Sequence, residues 1–343
     1  MRSARNRASE VVRGDRVRVA AAIVVGIAVV SGATIGLWRA HVARTQRAEV
    51  VGRVDQVREI ARSVTGIADL PAAARGPRAH ELLESLDRLA QNAGSERDLL
   101  RALGQAYEKL AAIESSGSTA GAIALQEKAI AMREQIASIS SADLTDTQAL
   151  ASAYLAISQL HVASGAPQHA ADYLQQALPL LESLLASNPT EQVRSLCATA
   201  YLNIGGLSGS RGNSAIGDTR AALAYIRGAL KMQQALAAEF PQNLAYQQEL
   251  ATTYDALALV YSAMGEPEGA LEQYRKAIAV SRGLVAAHPD DQSHRRLLAE
   301  QLKRTGNVLI QLNENAEAQE YFREAQTLED DRAGEEPTST GDR

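Results

Sequence analysis

The sequence has few of the residues that build metal-held or disulfide-bonded folds. Cys197 is the one cysteine in 343 residues, so no disulfide can form within the chain and no thiolate cage can hold a metal ion. His161 and His169 lie eight residues apart. His288 and His294 lie six apart, and neither spacing is the i, i+4 pair that puts two imidazoles on one helical face. The sequence therefore predicts no metal site and no cofactor.

Aromatic residues are also scarce, at 4% of the chain, whereas apolar residues make up 46%, mostly alanine and leucine. Strands draw on aromatic and β-branched side chains and helices favour alanine and leucine, so this balance predicts an all-α fold. No nucleophile elbow or paired catalytic carboxylates occur, which indicates a non-catalytic chain. The net charge of −5 argues against nucleic acid as the main partner.

The longest uncharged stretch is residues 19–38, VAAAIVVGIAVVSGATIGLW. As a helix, 20 residues extend about 30 Å, which matches the hydrocarbon core of a bilayer. The stretch predicts a single transmembrane helix with Trp38 at the interface, after a basic segment at 1–18. Two alternatives are a cleavable signal peptide, with Ser31–Ala33 as the cleavage site, and a buried helix of a soluble fold.

Small residues recur one turn apart within this stretch, at Ala28, Gly32 and Gly36. Such a ridge lets two membrane helices approach closely, so it predicts a face for homodimerisation.

A pattern of about 48 residues repeats along the rest of the chain. Each copy begins with a pentapeptide, such as YLNIG at Tyr201, and places two alanines seven residues apart on a second helix. The pairs recur after 48, 52, 48 and 48 residues, at Ala122 and Ala129, Ala170 and Ala177, Ala222 and Ala229, Ala270 and Ala277, and Ala318 and Ala325. Small residues two turns apart permit close helix packing, so the pattern predicts an α-solenoid of about five helix hairpins.

These hairpins define the predicted domain organisation. The repeat domain is expected at 97–328, after juxtamembrane helices at 39–96 and before an acidic, disordered tail at 329–343. Pro189, Pro241 and Pro289 mark the breaks between successive hairpins.

The repeats resemble the tetratricopeptide repeat. The residues that carry the resemblance are Tyr254, Leu257, Ala258, Tyr261, Ala270, Tyr274 and Ala277, and the next copy follows with Leu302, Gly306, Leu309, Ala318, Phe322 and Ala325. The common period is about 34 residues. The longer period here requires longer helices in each hairpin.

A second resemblance covers almost the whole chain. The segments LWRAHVAR, VREIARSV, IADLP, ELLESLDRLA and YRKAIAV resemble the region after the catalytic domain in bacterial membrane-anchored serine/threonine protein kinases with extracytoplasmic tetratricopeptide repeats. The resemblance implies the bacterial inner membrane, and the six arginines before residue 19 favour a cytoplasmic N-terminus with the repeats outside. No kinase motif is present. The chain is then a kinase-less paralogue, or a detached or truncated part of a kinase encoded upstream.

The repeat architecture predicts a binding surface for a protein or peptide, in a sensor or a scaffold. First helices line the inner side of such arrays. The candidate contacts around the pentapeptides are Gln159, Thr252, Asp255, Lys303 and Asn307.

Overall fold

All the regular secondary structure that the structure describes is helical. The structure is a computed structural model, and it describes residues 38–70, 72–115, 117–139, 143–209 and 219–335. The chain divides into two compact units, Met1–Ala106 and Tyr107–Arg343, which we call the N-terminal unit and the repeat unit.

Twelve α-helices occur within the described ranges, and a short 3₁₀ turn at Gly66–Asp69 follows the first. In chain order they are α1 (38–65), α2 (Ala72–Gln91), α3 (Arg97–Glu114), α4 (Thr119–Ile139), α5 (Leu144–Ala163), α6 (Pro167–Ser187), α7 (Glu191–Gly209), α8 (Thr219–Glu239), α9 (Leu244–Met264), α10 (Pro267–Ala287), α11 (Gln292–Gln311) and α12 (Asn315–Glu335).

The predicted fold class needs one correction. The all-helical solenoid is confirmed, but none of the helices in the described part of the chain is long and apolar enough to cross a membrane, so the transmembrane helix is not shown. Charged residues such as Arg39, Arg44 and Glu49 interrupt α1 at short intervals. The predicted span at 19–38 lies outside the described residues apart from Trp38, as do Ala28, Gly32 and Gly36 of the predicted dimer face. The predicted cellular location stays a prediction.

In the N-terminal unit, α1 and α2 each bury one apolar face. Val54, Val57 and Val64 are buried on α1, as are Leu82 and Leu86 on α2. Helix α2 begins at Ala72 and contains Pro77 within its first two turns.

Five helix hairpins follow one another from α3 to α12, as the repeat pattern predicts. Their helices are 18 to 21 residues long, which accounts for the long period. We call α3, α5, α7, α9 and α11 the first helices, and α4, α6, α8, α10 and α12 the second helices. Pro189, Pro241 and Pro289 lie in the loops between hairpins, as predicted.

The turns inside three hairpins share one conformation. Gly165, Gly265 and Asn313 adopt left-handed backbone angles, with φ of 78°, 77° and 65°. The amide of the following residue reaches back to a carbonyl five residues earlier, as in Ala166 N to His161 O at 2.8 Å and Glu266 N to Tyr261 O at 3.0 Å. This pair of features is the Schellman motif, which ends a helix and reverses the chain.

Small side chains hold the helices close together. All ten alanines of the predicted pairs are at most 1% exposed. Opposite them, Gly205 on α7 leaves no room for a methyl group, which would lie 2.4 Å from Ile226 Cγ1 and 3.2 Å from Ala222 O. At Gly306 on α11 a methyl group would lie 2.6 Å from Phe322 Cζ. Alanine and glycine therefore set the distance between the two helices of a hairpin.

The last hairpin presents a polar outer surface. Leu271 and Ile278 of α10 are buried in clusters with residues of α11. The residues 48 positions later on α12 are Gln319 and Gln326, and both are exposed. These two glutamines make the outer surface of α12 more polar than the matching surface of α10, where leucine and isoleucine occupy the same positions.

The substitution Gly205→Ala tests the close approach of α7 and α8. Alanine normally stabilises a helix interior by about 0.5–1 kcal/mol relative to glycine. Here the methyl group meets Ile226, so we expect a loss of about 1–3 kcal/mol in the free energy of unfolding, measured by urea denaturation. The matched control is Gly206→Ala, where a methyl group meets nothing within 4 Å and the helix should become more stable. Equal effects of the two substitutions would contradict the packing argument.

Candidate functional site

The first helices lie on the inner side of the stacked hairpins. Helix α5 contacts α7, α7 contacts α9 and α9 contacts α11. Within the described ranges, no pair of second helices makes comparable contacts. Helices that approach each other more closely lie on the inner side of a curved stack. The exposed surface of the first helices is therefore the concave surface of the repeat unit.

An uncharged row of exposed side chains runs along this surface. The position five residues after the start of each pentapeptide is exposed in all five hairpins, and none of its residues carries a charge: Ala112, Gln159, Gly206, Leu259 and Asn307. We call these five residues the inner stripe. One helical turn further on, Val162 and Ile310 add apolar surface, with 51% and 48% of each residue exposed.

Exposed apolar side chains concentrate on the first helices. Among the described residues of the repeat unit, the large apolar side chains that are exposed are Ile139, Leu144, Val162, Leu259, Met264 and Ile310. All except Ile139 lie on first helices. Exposed apolar side chains that recur on one set of helices are candidates for contacts with a partner.

A cleft of about 520 Å³ opens beside the inner stripe between α3 and α5. Alanines and serines form much of its lining, so the space results from short side chains. The polar groups around it include Gln159, Gln126 and Glu108. Gln126 is buried and donates from Nε2 to the carbonyl oxygen of Ala153 at 3.2 Å. The cleft has the apolar floor and sparse polar groups of a site for a short peptide segment.

Two of the predicted contact residues lie on the inner stripe. Gln159 and Asn307 are exposed there, and Gln159 also lines the cleft. Thr252 is half-buried, and its hydroxyl donates to the carbonyl oxygen of Gln248 at 2.9 Å. As ligand contacts, these three residues stay predictions.

The other two predicted contact residues are engaged by neighbouring helices. Asp255 is 6% exposed and forms an ion pair with Arg304 of the next first helix. Burial raises the pKa of the Asp255 carboxyl group, and Arg304 opposes that rise. Lys303 places Nζ 2.5 Å from Glu329 Oε1 on its partner helix α12. Each of the two side chains is paired with a residue of another helix, so its charged group is less available to a ligand.

A repeated tyrosine contact, which the repeat pattern did not predict, joins successive hairpins. The tyrosine that begins a pentapeptide donates its hydroxyl to a glutamate of the preceding second helix, with Tyr154 to Glu134 at 2.8 Å and Tyr201 to Glu182 at 3.0 Å. Tyr254 lies 2.8 Å from Gln234 in the same register. Burial and the Glu182 carboxylate raise the pKa of Tyr201 to about 12. A glutamate or glutamine 19 or 20 residues before each tyrosine is the sequence signal for this contact.

A partly buried carboxyl group joins three helices of the middle hairpins. Glu249 on α9 accepts from Gln233 Nε2 at 2.8 Å and from Ser195 Oγ at 3.5 Å. Burial raises the pKa of the Glu249 carboxyl group above its ordinary value. The Oε1 atom of Gln233 is buried without a hydrogen-bond donor. A proton on Glu249, or an amide in its place, would remove the negative charge from this partly buried junction and add a hydrogen-bond donor to it.

Two family models of the tetratricopeptide repeat match the chain, over residues 250–290 and 305–332. The matched segments contain most of α9 and α10 and parts of α11 and α12. The chain therefore contains tetratricopeptide repeats within an all-helical solenoid. Repeats of this kind are generally non-catalytic modules that bind other proteins, and the comparisons indicate no catalytic family. A comparison with curated protein sequences finds no match.

Solved structures share the fold at low sequence identity. BtubC (BKLC) from P. vanneervenii has a TM-score of 0.53 and 18% identity, over 77% of this chain and 94% of that chain. That likeness shows the fold alone. Weaker matches include a signal transduction ATPase with a tetratricopeptide repeat sensor from Pyrococcus horikoshii, at a TM-score of 0.45 and 14% identity, over 80% of this chain and 40% of that chain. MamA from Desulfovibrio magneticus RS-1 has a TM-score of 0.38 and 14% identity, over 68% and 97%.

The substitution Glu249→Gln tests the junction around Glu249. Because folding raises the pKa of this carboxyl group, the folded state holds its proton more tightly than the unfolded chain does. The stability contributed by that proton is present below the ordinary pKa of 4.5, and it is lost as the pH rises through the higher pKa that Glu249 has in the folded state. We expect Glu249→Gln to raise the free energy of unfolding at pH 7 by about 1 kcal/mol, since an uncharged amide avoids the cost of burying the carboxylate and can still accept from Gln233.

The measurement is urea denaturation of both proteins at several pH values from 4 to 7. The stability difference between variant and wild type should grow with pH. Glu239→Gln serves as the control, because a hydrogen bond from Arg194 lowers the pKa of the Glu239 carboxyl group and its loss should destabilise the protein at pH 7. A stability difference that does not change with pH would refute the assignment at Glu249.

Proposed function

We propose that the repeat unit binds an extended, uncharged segment of a partner protein along the inner stripe. The observation that carries the proposal is the absence of charge at all five exposed positions of the stripe, in five successive hairpins. Covering an isolated charge with a ligand costs desolvation free energy, whereas amides and apolar side chains can contact a peptide without that cost.

The chemistry of the stripe defines what the partner segment should contain. Gln159 and Asn307 each present a carbonyl and an amide group, which can pair with the backbone of an extended peptide. Leu259, Val162 and Ile310 offer apolar contacts for its side chains. Binding should therefore depend weakly on salt concentration, unlike recognition through charge.

The finer role of the module is a sensor or a scaffold in signalling. The resemblance to the repeat region of bacterial serine/threonine kinases supports a role beside a kinase, as a separate chain or as part of a longer one. A kinase reading frame directly upstream of this gene would support that role. A scaffold would instead hold two partners at once, which a three-component reconstitution can detect.

The test compares two matched substitutions of exposed apolar residues. Leu259→Asp places a charge on the inner stripe, and Ile139→Asp places one on a second helix; the two wild-type residues are 45% and 46% exposed. The wild-type protein is first used to capture its partner, and the dissociation constant of that partner is then measured for each variant. We expect Leu259→Asp to weaken binding at least about tenfold, or about 1.4 kcal/mol, and Ile139→Asp to leave it within about twofold.

Thermal denaturation of both variants establishes that they fold like the wild type. Retained binding by folded Leu259→Asp would overturn the proposal. Equal weakening by both substitutions would also overturn it, because the inner stripe would then have no special role.

A further inference from the structure

Two histidines on different helices meet at the turn between α5 and α6. His161 lies in the last turn of α5 and His169 in the first turn of α6. The Schellman turn around Gly165 reverses the chain between them. Their ring centres are 5.2 Å apart, with the ring planes inclined by 56°. The spacing of eight residues is not the i, i+4 pair of a single helix, but the turn between α5 and α6 brings the two rings side by side.

A separation of this size suits two imidazole ligands of one metal ion. A metal–nitrogen bond of about 2 Å puts each ring centre about 3 Å from the metal. At a tetrahedral angle, two such ring centres lie about 5 Å apart.

The surroundings of the two rings favour a cation. Tyr173 stacks on His161, with ring centres 5.5 Å apart and planes inclined by 12°, which fixes the orientation of that imidazole. Burial and, to a smaller extent, the neighbouring His169 lower the pKa of His161, whereas Glu127 on α4 raises it. Glu127 and Asp172 act electrostatically on this cluster and add negative charge near it.

The pair is also accessible. His169 is exposed and His161 is half-buried, so an ion can reach both rings from solvent. Within the described part of the chain no group of three or more histidine, cysteine or carboxylate ligands is found, so water would have to supply the remaining ligands of the ion.

We propose that His161 and His169 form a two-histidine site for a divalent transition-metal ion at the α5–α6 turn. The ligand class is an ion that prefers imidazole nitrogen, such as Zn²⁺ or Ni²⁺, and Mg²⁺ and Ca²⁺ are excluded because they prefer oxygen ligands. A bound ion ties the end of α5 to the start of α6. The last turn of α5 also supplies Leu160 and Ala163 to the cleft, so the ion would stiffen one wall of it.

The experiment is isothermal titration calorimetry of the full chain, purified without a histidine tag, with ZnCl₂ or NiCl₂ at pH 7.5. We expect one Zn²⁺ per chain, and His169→Gln should weaken binding at least about tenfold because one of two protein ligands is removed. The matched control is His288→Gln, an exposed histidine in the loop after α10, which should leave the affinity unchanged. MgCl₂ should produce no binding heat.

Nuclear magnetic resonance of the histidine ring protons provides a second measurement. The signals of His161 and His169 should shift or broaden with substoichiometric Zn²⁺, and those of His288 should not. Unchanged affinity of His169→Gln would overturn the proposal, as would equal loss in His288→Gln. Thermal denaturation of His169→Gln checks its fold, and His161→Gln provides a second variant that should lose the same binding. The proposal does not depend on the partner segment of the inner stripe.

Discussion

The close approach of helix backbones at small residues is the constraint on which the rest of the repeat unit depends. Ten buried alanines and the glycines opposite them let the helices of each hairpin lie closer than larger side chains would permit. Van der Waals contacts weaken steeply with small increases in separation, so the same residues determine both the distance between helices and the stability of each hairpin. The residues that carry the repeat pattern are therefore packing residues.

The inner stripe results from this packing. When small residues occupy the buried side of each first helix, the residue five positions after the start of the pentapeptide faces solvent in every hairpin. Repetition of the hairpin then aligns five such residues into a row, which no single hairpin could provide. A binding surface built in this way depends on the correct stacking of several units, and its length grows with their number.

Polar groups inside the array add specificity to the packing. Apolar contacts alone tolerate a shift of one helix along another, whereas the tyrosine contacts to Glu134 and Glu182 are made in one register. Asp255 with Arg304 joins successive first helices in the same way. A polar group left unpaired by a shift would lose its hydrogen bond in a partly buried place, so these contacts disfavour other registers.

Composition and periodicity alone determined the helical class, the hairpins, their lengths and the proline breaks, because these depend on local propensity and on a period visible in one dimension. They also placed Gln159 and Asn307 on the exposed surface. The expected transmembrane helix was not shown, and only the tertiary structure decided that Asp255 and Lys303 bind neighbouring helices and that His161 meets His169. Those contacts join residues through a turn or across hairpins, where the angle and distance between helices decide which side chains meet. Helical spacing within one element carries no information about that geometry.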